Sequence, residues 1–316
     1  MIPDDRLLIG LDRRDDAAVY ALGGGQALVA TLDFFTPLLD DPRDFGAVAA
    51  ANALSDLYAM HARPLFALNI LGVPVGRLGP EIIGAILAGA AEVCAEAGIP
   101  IAGGHSIDDP EPKFGLVALG LADPEDLWRK GGGAAGDSLV LGKAIGTGIV
   151  TTALKRGQVD DATLAVTVAS MRRLNRDAAV VLEGCDVQGV TDVTGYGLLG
   201  HLWEMCRASG LDARLRASAP AVLPGAIELA MAGCVPGGTG RNRHATDRHV
   251  RWSDDIDDVT RELLYDPQTS GGLLAAVSPR NVDRAVEGLL AAGYEATVIG
   301  VLETAGGDVP TIAIDP

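Results

Sequence analysis

Basic residues are the first scarcity in this chain. Lys and Arg total 25 against 42 Asp and Glu, a formal charge of -17, and only four of the 25 are lysines. A nucleic-acid surface needs a basic face to displace counterions from phosphates, and none is supplied, so no nucleic-acid partner is expected. Any phosphate ligand is expected to arrive with divalent cations, because bare carboxylates repel it. The four cysteines (Cys94, Cys185, Cys206, Cys234) lie far apart with no CxxC pair, which excludes zinc-ligand spacing and points to a reducing compartment. No apolar run reaches the ~18 to 20 residues of a membrane span. The opening "MIPDDRLLIG" lacks a basic stretch followed by an apolar one, so a cytoplasmic location is expected. Aromatic residues are only 4%, leaving Ala, Val, Leu and Ile to fill the core.

What is present suffices for two domains of ordinary size, since the chain has 316 residues, 48% of them hydrophobic. "QALVATLDFF" alternates like a half-buried strand. Asp44 to Ala62 has a helical pattern with Asp44 as N-cap. "LFALNILG" reads as a strand, "GPEIIGAILAGAAEVCAEAG" as a helix closed by Gly98, and Gly115 to Ala122 as a strand. The polar, Gly-rich "DPEDLWRKGGGAAGDS" suits a junction. It divides a domain over 1–122 from one over 123–316. The second half opens with the strand "SLVLGK", then helices near Gly148 to Arg156 and over Asp161 to Glu183. Further strands follow at "DARLRA", "GLLAAV" and "EATVIGVLE". Strands and helices alternate without a strict βαβ rhythm, so the class is α/β or α+β in layers.

Polar, Gly-bordered segments fall where strands end or helices begin: "RRDDAA", "TLDFF", "NALSD", "AGGHSIDDPEP", "TDVTGYGLLGH" and "DPQTSGGL". Asn52 and Asp56 share one face of a helix; they point either into a polar pocket or to solvent. Asp16, Asp33, Asp56 and Asp192 each sit beside inward-packing apolar sequence. Carboxylates at strand and turn ends suit hard cations such as Mg²⁺, and equally they are common turn formers. "AGGHSID" is an anion nest, with His105 and Ser106 as donors, or an ordinary Gly turn. His105 alone is too weak a signal for a general base. A phosphate-binding loop of the form GxxxxGK[ST] is absent; the nearest match, "GDSLVLGKA", has one residue too many and Ala144 where a hydroxyl is required.

Taken in order, "RDDAAVY", "TLDFFTPLLDDPRDFGAVAAANALSDLYAM", "AGGHSIDDPEPKFGL", "TDVTGYGLLGHLWEMC", "VPGGTGRN" and "DPQTSGGLL" resemble selenophosphate synthetase across essentially the whole chain. That family belongs to the ATP-binding superfamily that includes aminoimidazole ribonucleotide synthetase. The resemblance implies a two-domain fold whose N-terminal sheet forms a homodimer interface. It implies conversion of ATP, selenide and water to selenophosphate, AMP and phosphate. It also implies Mg²⁺ on Asp16, Asp56 and Asp192, and nucleotide contacts from Arg13, Arg14, Asp15, Asp33 and Asp56. Gly104, His105 and Ser106 would reach the partner subunit's nucleotide.

One departure concerns the nucleophile. The family carries a Gly-rich segment upstream of its first strand, with a reactive Cys or selenocysteine and a Lys. This chain begins too late to hold either, and Cys94 lies in an apolar helix pattern with a core role. No catalytic residue is therefore assigned within the chain, and the Cys or selenocysteine and its Lys are expected upstream of Met1. The expectation is a start misplaced by an in-frame selenocysteine codon; the alternatives are a short form that binds nucleotide without completing catalysis, or another superfamily enzyme such as thiamine-monophosphate kinase.

Overall fold

A computed structural model describes residues 4–12 and 14–316. Arg13 lies outside the described residues. So does Met1, and with it the expectation that a reactive Cys or selenocysteine and its Lys belong upstream of that residue. The chain divides into two compact units. One is built from the chain up to Leu127 together with Arg172–Arg176, the other from Trp128–Met171 and Asp177–Pro316.

The first unit is a six-stranded sheet of β1 (Leu7–Ile9), β2 (Ala18–Gly23), β3 (Gln26–Phe35), β4 (Arg63–Val73), β5 (Ile101–Asp108) and β6 (Lys113–Ala122), ordered β1-β2-β3-β6-β4-β5. All its pairs are antiparallel except β4 with β5. Helix α1 (Pro42–Ala59) packs on β3, β4 and β6, and α2 (Pro80–Glu96) packs on α1. Sandwiched between sheet and helix, α1 is buried almost all round, which explains its run of Ala47, Ala49, Ala50, Ala51 and Ala53 in place of a polar face. Its N-cap is Asp41, whose carboxylate accepts from the Arg43 and Asp44 amides at 2.8 and 3.0 Å. The expected cap, Asp44, sits one turn inside. Pro42 at the first position fixes the earlier start, and Asp44 instead forms a 2.7 Å ion pair with Arg172.

The open face of this sheet carries apolar side chains that remain solvent-exposed. Leu32 and Phe34 on β3 are 50% and 47% exposed, and Leu22 and Ile107 are likewise exposed.

The second unit holds a mixed seven-stranded sheet: β7 (Ser138–Leu141), β8 (Gly189–Asp192), β9 (Leu211–Arg216), β10 (Val250–Trp252), β11 (Leu273–Val277), β12 (Thr297–Thr304) and β13 (Ile312–Asp315), ordered β10-β13-β9-β12-β7-β11-β8. Its helices are α3 (Thr147–Lys155), α4 (Asp161–Arg172), α5 (Arg176–Glu183), α6 (Gly197–Ser209), α7 (Ala226–Met231), α8 (Gly237–Thr246), α9 (Asp258–Tyr265) and α10 (Val282–Ala291). The core is aliphatic. Leu198, Leu199, Leu202 and Met205 of α6 meet Leu139, Leu141, Leu274 and Ile299 of the strands. Burying a Leu this fully contributes about 1.5–3 kcal/mol.

The helical pattern over Asp161–Glu183 is broken into α4 and α5. Leu174 is buried at the break and the Asn175 amide donates to Ser55 Oγ at 2.9 Å, contacts that replace the hydrogen bonds a continuous helix would make. Among the described residues, no helix is long and apolar enough to cross a membrane.

Candidate functional site

Two periodicities build the polar end of the first unit. On a strand, residues i and i+2 share a face, so Ala27, Val29, Thr31, Asp33 and Phe35 of β3 all turn the same way. Ala27 and Val29 are fully buried, and Phe35 meets the Phe45 ring edge-on. Between them, the inward face becomes polar. The Asn52 amide donates to Asp33 Oδ2 at 2.7 Å, and Thr31 Oγ1 donates to Asp56 Oδ2. Asn52 and Asp56, four residues apart on α1, are 6% and 8% exposed, so the pocket reading of that face holds and the solvent reading fails. Thr31 opens the "TLDFF" segment but was not among the candidate site residues; its signal is its place two residues before Asp33 on an alternating strand.

Asp16 arrives from the turn ahead of β2, and one of its carboxylate oxygens lies within 4.8 Å of one of Asp56. The Asp16 amide donates to Asp15 Oδ1 at 3.1 Å. Burial, and secondly the charge of Asp16, push Asp33 up to about 6, against the Asn52 hydrogen bond that favours its anion. This is the electrostatic signature of carboxylates buried close to one another. A divalent cation would relieve it, so the residues fit a Mg²⁺ site. Arg14 is exposed, and with Asp15, Asp16, Leu7, Leu11 and Thr31 it borders a groove of about 510 Å³.

Gly104, His105 and Ser106 are not part of this group. The segment is neither a turn nor a nest: it is β5, an exposed edge strand paired in parallel with β4. Two strands, β6 and β4, separate it from β3, roughly 14 Å at the usual spacing. Gly104 is required because its φ is 156° and a Cβ there would come within 2.3 Å of the Asn69 carbonyl oxygen. Strand alternation turns His105 and Ser106 to opposite faces.

In the second unit Asp192 ends β8 and is 1% exposed, its backbone paired with Leu273. The turn after it is anchored by His201, whose Nε2 accepts the Thr194 amide at 3.0 Å. Burial, with a smaller contribution from Lys130, lowers His201 to about 3, so it is a neutral acceptor and no proton shuttle. All four cysteines are buried. Burial raises Cys94 to about 11 and Cys206 to about 12, the opposite of an activated thiolate. Cys94 therefore has the core role expected of it, and it is no substitute for the nucleophile expected upstream of Met1.

Two family models match the chain: "AIR synthase related protein, N-terminal domain" over residues 14–122 and "AIR synthase related protein, C-terminal domain" over 134–312. The selenide, water dikinase of Paraburkholderia xenovorans (strain LB400) is 48% identical over 307 residues, covering 97% of this chain and 87% of that protein. The selenide, water dikinase of Rhizobium meliloti (strain 1021) is 46% identical over 312 residues, covering 99% and 89%. Among solved structures, thiamine-monophosphate kinase from Stenotrophomonas maltophilia K279a superposes with a TM-score of 0.70 at 19% identity, covering 98% of this chain and 91% of that one. Hydrogenase maturation protein HypE in complex with ATP gives 0.69 at 17%, covering 95% and 84%. These two establish a shared fold.

Proposed function

This chain belongs to the selenide, water dikinase family of AIR synthase related proteins, and from that premise we propose how its residues serve ATP-dependent selenophosphate synthesis. The reaction consumes ATP, selenide and water and yields selenophosphate, AMP and phosphate. Near-full-length identity of 46–48% favours it over thiamine-monophosphate kinase, to which the likeness is one of fold.

The observation that carries the site assignment is the crowding of Asp16, Asp33 and Asp56 at one end of the first sheet, with Asp33 pushed up to about 6. Asp16 and Asp56, with Asp192 from the second unit, are the residues that would hold Mg²⁺. When bound, Mg²⁺ supplies charge neutralisation for the phosphates. The chain's own groups do the positioning. Thr31 and Asn52 fix the carboxylates of Asp56 and Asp33 in direction, so that little reorganisation is left for substrate binding. Arg14, Asp15 and Asp33 are assigned to the nucleotide beside the 510 Å³ groove; Arg13 shares that assignment by sequence.

A homodimer is part of the proposal. The exposed Leu22, Leu32 and Phe34 side chains support it, since a contiguous apolar face of this kind is a usual mark of an interface. In such a dimer Gly104, His105 and Ser106, held away from their own chain's carboxylates, would reach the partner's nucleotide. Four free, buried thiols fit a reducing, cytoplasmic setting.

The test is selenide-dependent formation of AMP from ATP with Mg²⁺, followed by ³¹P NMR. Selenophosphate and AMP in equal amounts are expected, with loss on chelation of the metal. Transfer of phosphate to an organic acceptor with release of ADP would overturn the assignment.

A further inference from the structure

The segment "VPGGTGRN" opens α8 and has no place in the site described above. The start of a helix leaves several backbone amides without helical partners. Elsewhere the chain answers them with its own oxygens. Asp41 caps α1, Asp160 accepts the Thr163 amide at 2.9 Å at the start of α4, and Asp257 caps α9. At the start of α3, Gln268 Oε1 accepts the Thr147 amide at 3.1 Å and Asp266 Oδ2 the Gly148 amide at 3.0 Å.

Helix α8 is built differently. Its N-cap, Pro236, offers no capping side chain, and its first turn holds no acid. The Thr239 amide donates to the Pro236 carbonyl at 3.1 Å, while the Gly237 and Gly238 amides have no partner among the described residues. Gly238 lies so close to Pro267 that a Cβ there would come within 2.9 Å of its ring. Gly237 is exposed.

Two side chains flank this helix end. From the solvent side Arg241, one turn on, brings its guanidinium back over the first residue: a Cβ on Gly237 would have Arg241 Nη1 as its neighbour at 3.6 Å. Arg241 is exposed and pairs with no carboxylate among the described residues, whereas Arg243 pairs with Glu262 at 3.4 Å. From the buried side comes Thr239, which is 0% exposed and whose hydroxyl has no partner among the described residues. A helical Cα–Cβ bond tilts toward the N-terminus, so a side chain at the third position lies over the first turn. A buried hydroxyl without a hydrogen bond is costly, and this one stands beside the end of the helix. Amides at the positive end of a helix, a guanidinium and a hydroxyl form the donor set of an oxyanion. The set offers a cation no anionic oxygen.

We propose that the start of α8 binds a phosphate-sized oxyanion, held by the Gly237 and Gly238 amides, the Arg241 guanidinium and the Thr239 hydroxyl. Free orthophosphate and the phosphoryl group of a larger ligand share this chemistry. Orthophosphate is a product of the reaction proposed above, yet the site stands on its own residues and does not depend on that assignment.

Calorimetry with inorganic phosphate tests it, run with Mg²⁺ and a saturating non-hydrolysable ATP analogue so that the nucleotide site is filled. Wild type is expected to bind phosphate with a Kd of about 1 mM or tighter. R241Q is expected to bind about 10-fold more weakly and T239V about 3-fold, each melting within about 3 °C of wild type without phosphate. R241K and T239S should recover part of the loss, a rescue that a purely structural role would not produce. Phenyl phosphate is titrated beside orthophosphate. Tighter binding of orthophosphate assigns the site to the free ion, and the reverse order assigns it to a phosphorylated ligand; both uphold the oxyanion site.

No saturable phosphate binding by wild type up to about 20 mM overturns the proposal. So do folded R241Q and T239V that bind phosphate as wild type does. If T239V does not fold, R241Q decides alone. A wild type that fails to bind the nucleotide analogue refutes the nucleotide assignment only, and the phosphate titrations still decide this site.

Discussion

Asp33 in the first unit and Asp266 in the second are both carboxylic acids that burial holds above the ordinary range, Asp33 at about 6 and Asp266 at about 7. Their surroundings differ. Asp266 Oδ2 accepts the Gly148 and Ile149 amides at 3.0 and 3.3 Å at the start of α3 and the Gln268 side-chain amide at 3.0 Å. One acid thus meets several donors and the positive end of a helix. Asp33 meets one side-chain amide and a neighbouring acid. The first arrangement completes a fold. The second leaves negative charge crowded, as a cation site does before its cation, and that contrast separates structural from functional acids here.

The strongest way to break this comparison is to neutralise the acids assigned to the metal, one in each unit. D56N is expected to lower kcat/KM for ATP at least 10³-fold, equivalent to about 4 kcal/mol of transition-state stabilisation, with an unchanged unfolding curve. D192N is expected to match it; wild-type turnover in D192N would remove the second unit from the metal site.

Next in size is the open face of the first sheet, which has no counterpart in the aliphatic core of the second unit. The double variant L32E/F34E is expected to weaken self-association at least 100-fold, read as a shift toward monomer mass by light scattering. A wild type that is monomeric at micromolar concentration would dispose of the dimer.

Asp266 gives a pH signature of its own. Its folded value is raised above the unfolded one, so the folded chain holds a proton that the unfolded chain releases. The associated stability is fully present below about pH 4, declines as pH rises through about 7, and is gone above that. Denaturant unfolding at pH 5 and pH 8 is expected to show wild type losing on the order of 1–3 kcal/mol more than D266N. Parallel pH profiles would mean that Asp266 is ionised throughout.

The smallest effects come from the helix caps, one in each unit. D41A at α1 and D257A at α9, where Asp257 accepts the Thr260 amide at 2.8 Å, should each cost about 1 kcal/mol by urea melting. A markedly larger loss in D41A would show that the cap also steadies the carboxylates farther along α1.

Much of the first unit was legible in the chain because its signals are local. Alternation over Gln26–Phe35 gave β3 with the same limits, and the four-residue spacing of Asn52 and Asp56 gave their common face. The edge strand β5 was not legible: Gly103 and Gly104 read as a turn, and only pairing with β4 in close contact with Asn69 makes an extended glycine run stable. The break at Leu174 and Asn175 was hidden for a similar reason, since their partners lie far off in sequence.

By itself, then, the sequence determined the layered α/β class, the family and the types of side chain available, because periodicity and motif order are properties of the chain. Tertiary structure decided which of them meet. Thr31 reached Asp56 through the packing of α1 on β3, and Asp192 came to pair with Leu273 because β11 enters between β7 and β8. The physical reason is that an element's neighbours are chosen by packing and pairing across tens to more than a hundred residues of chain, a choice that no local pattern records.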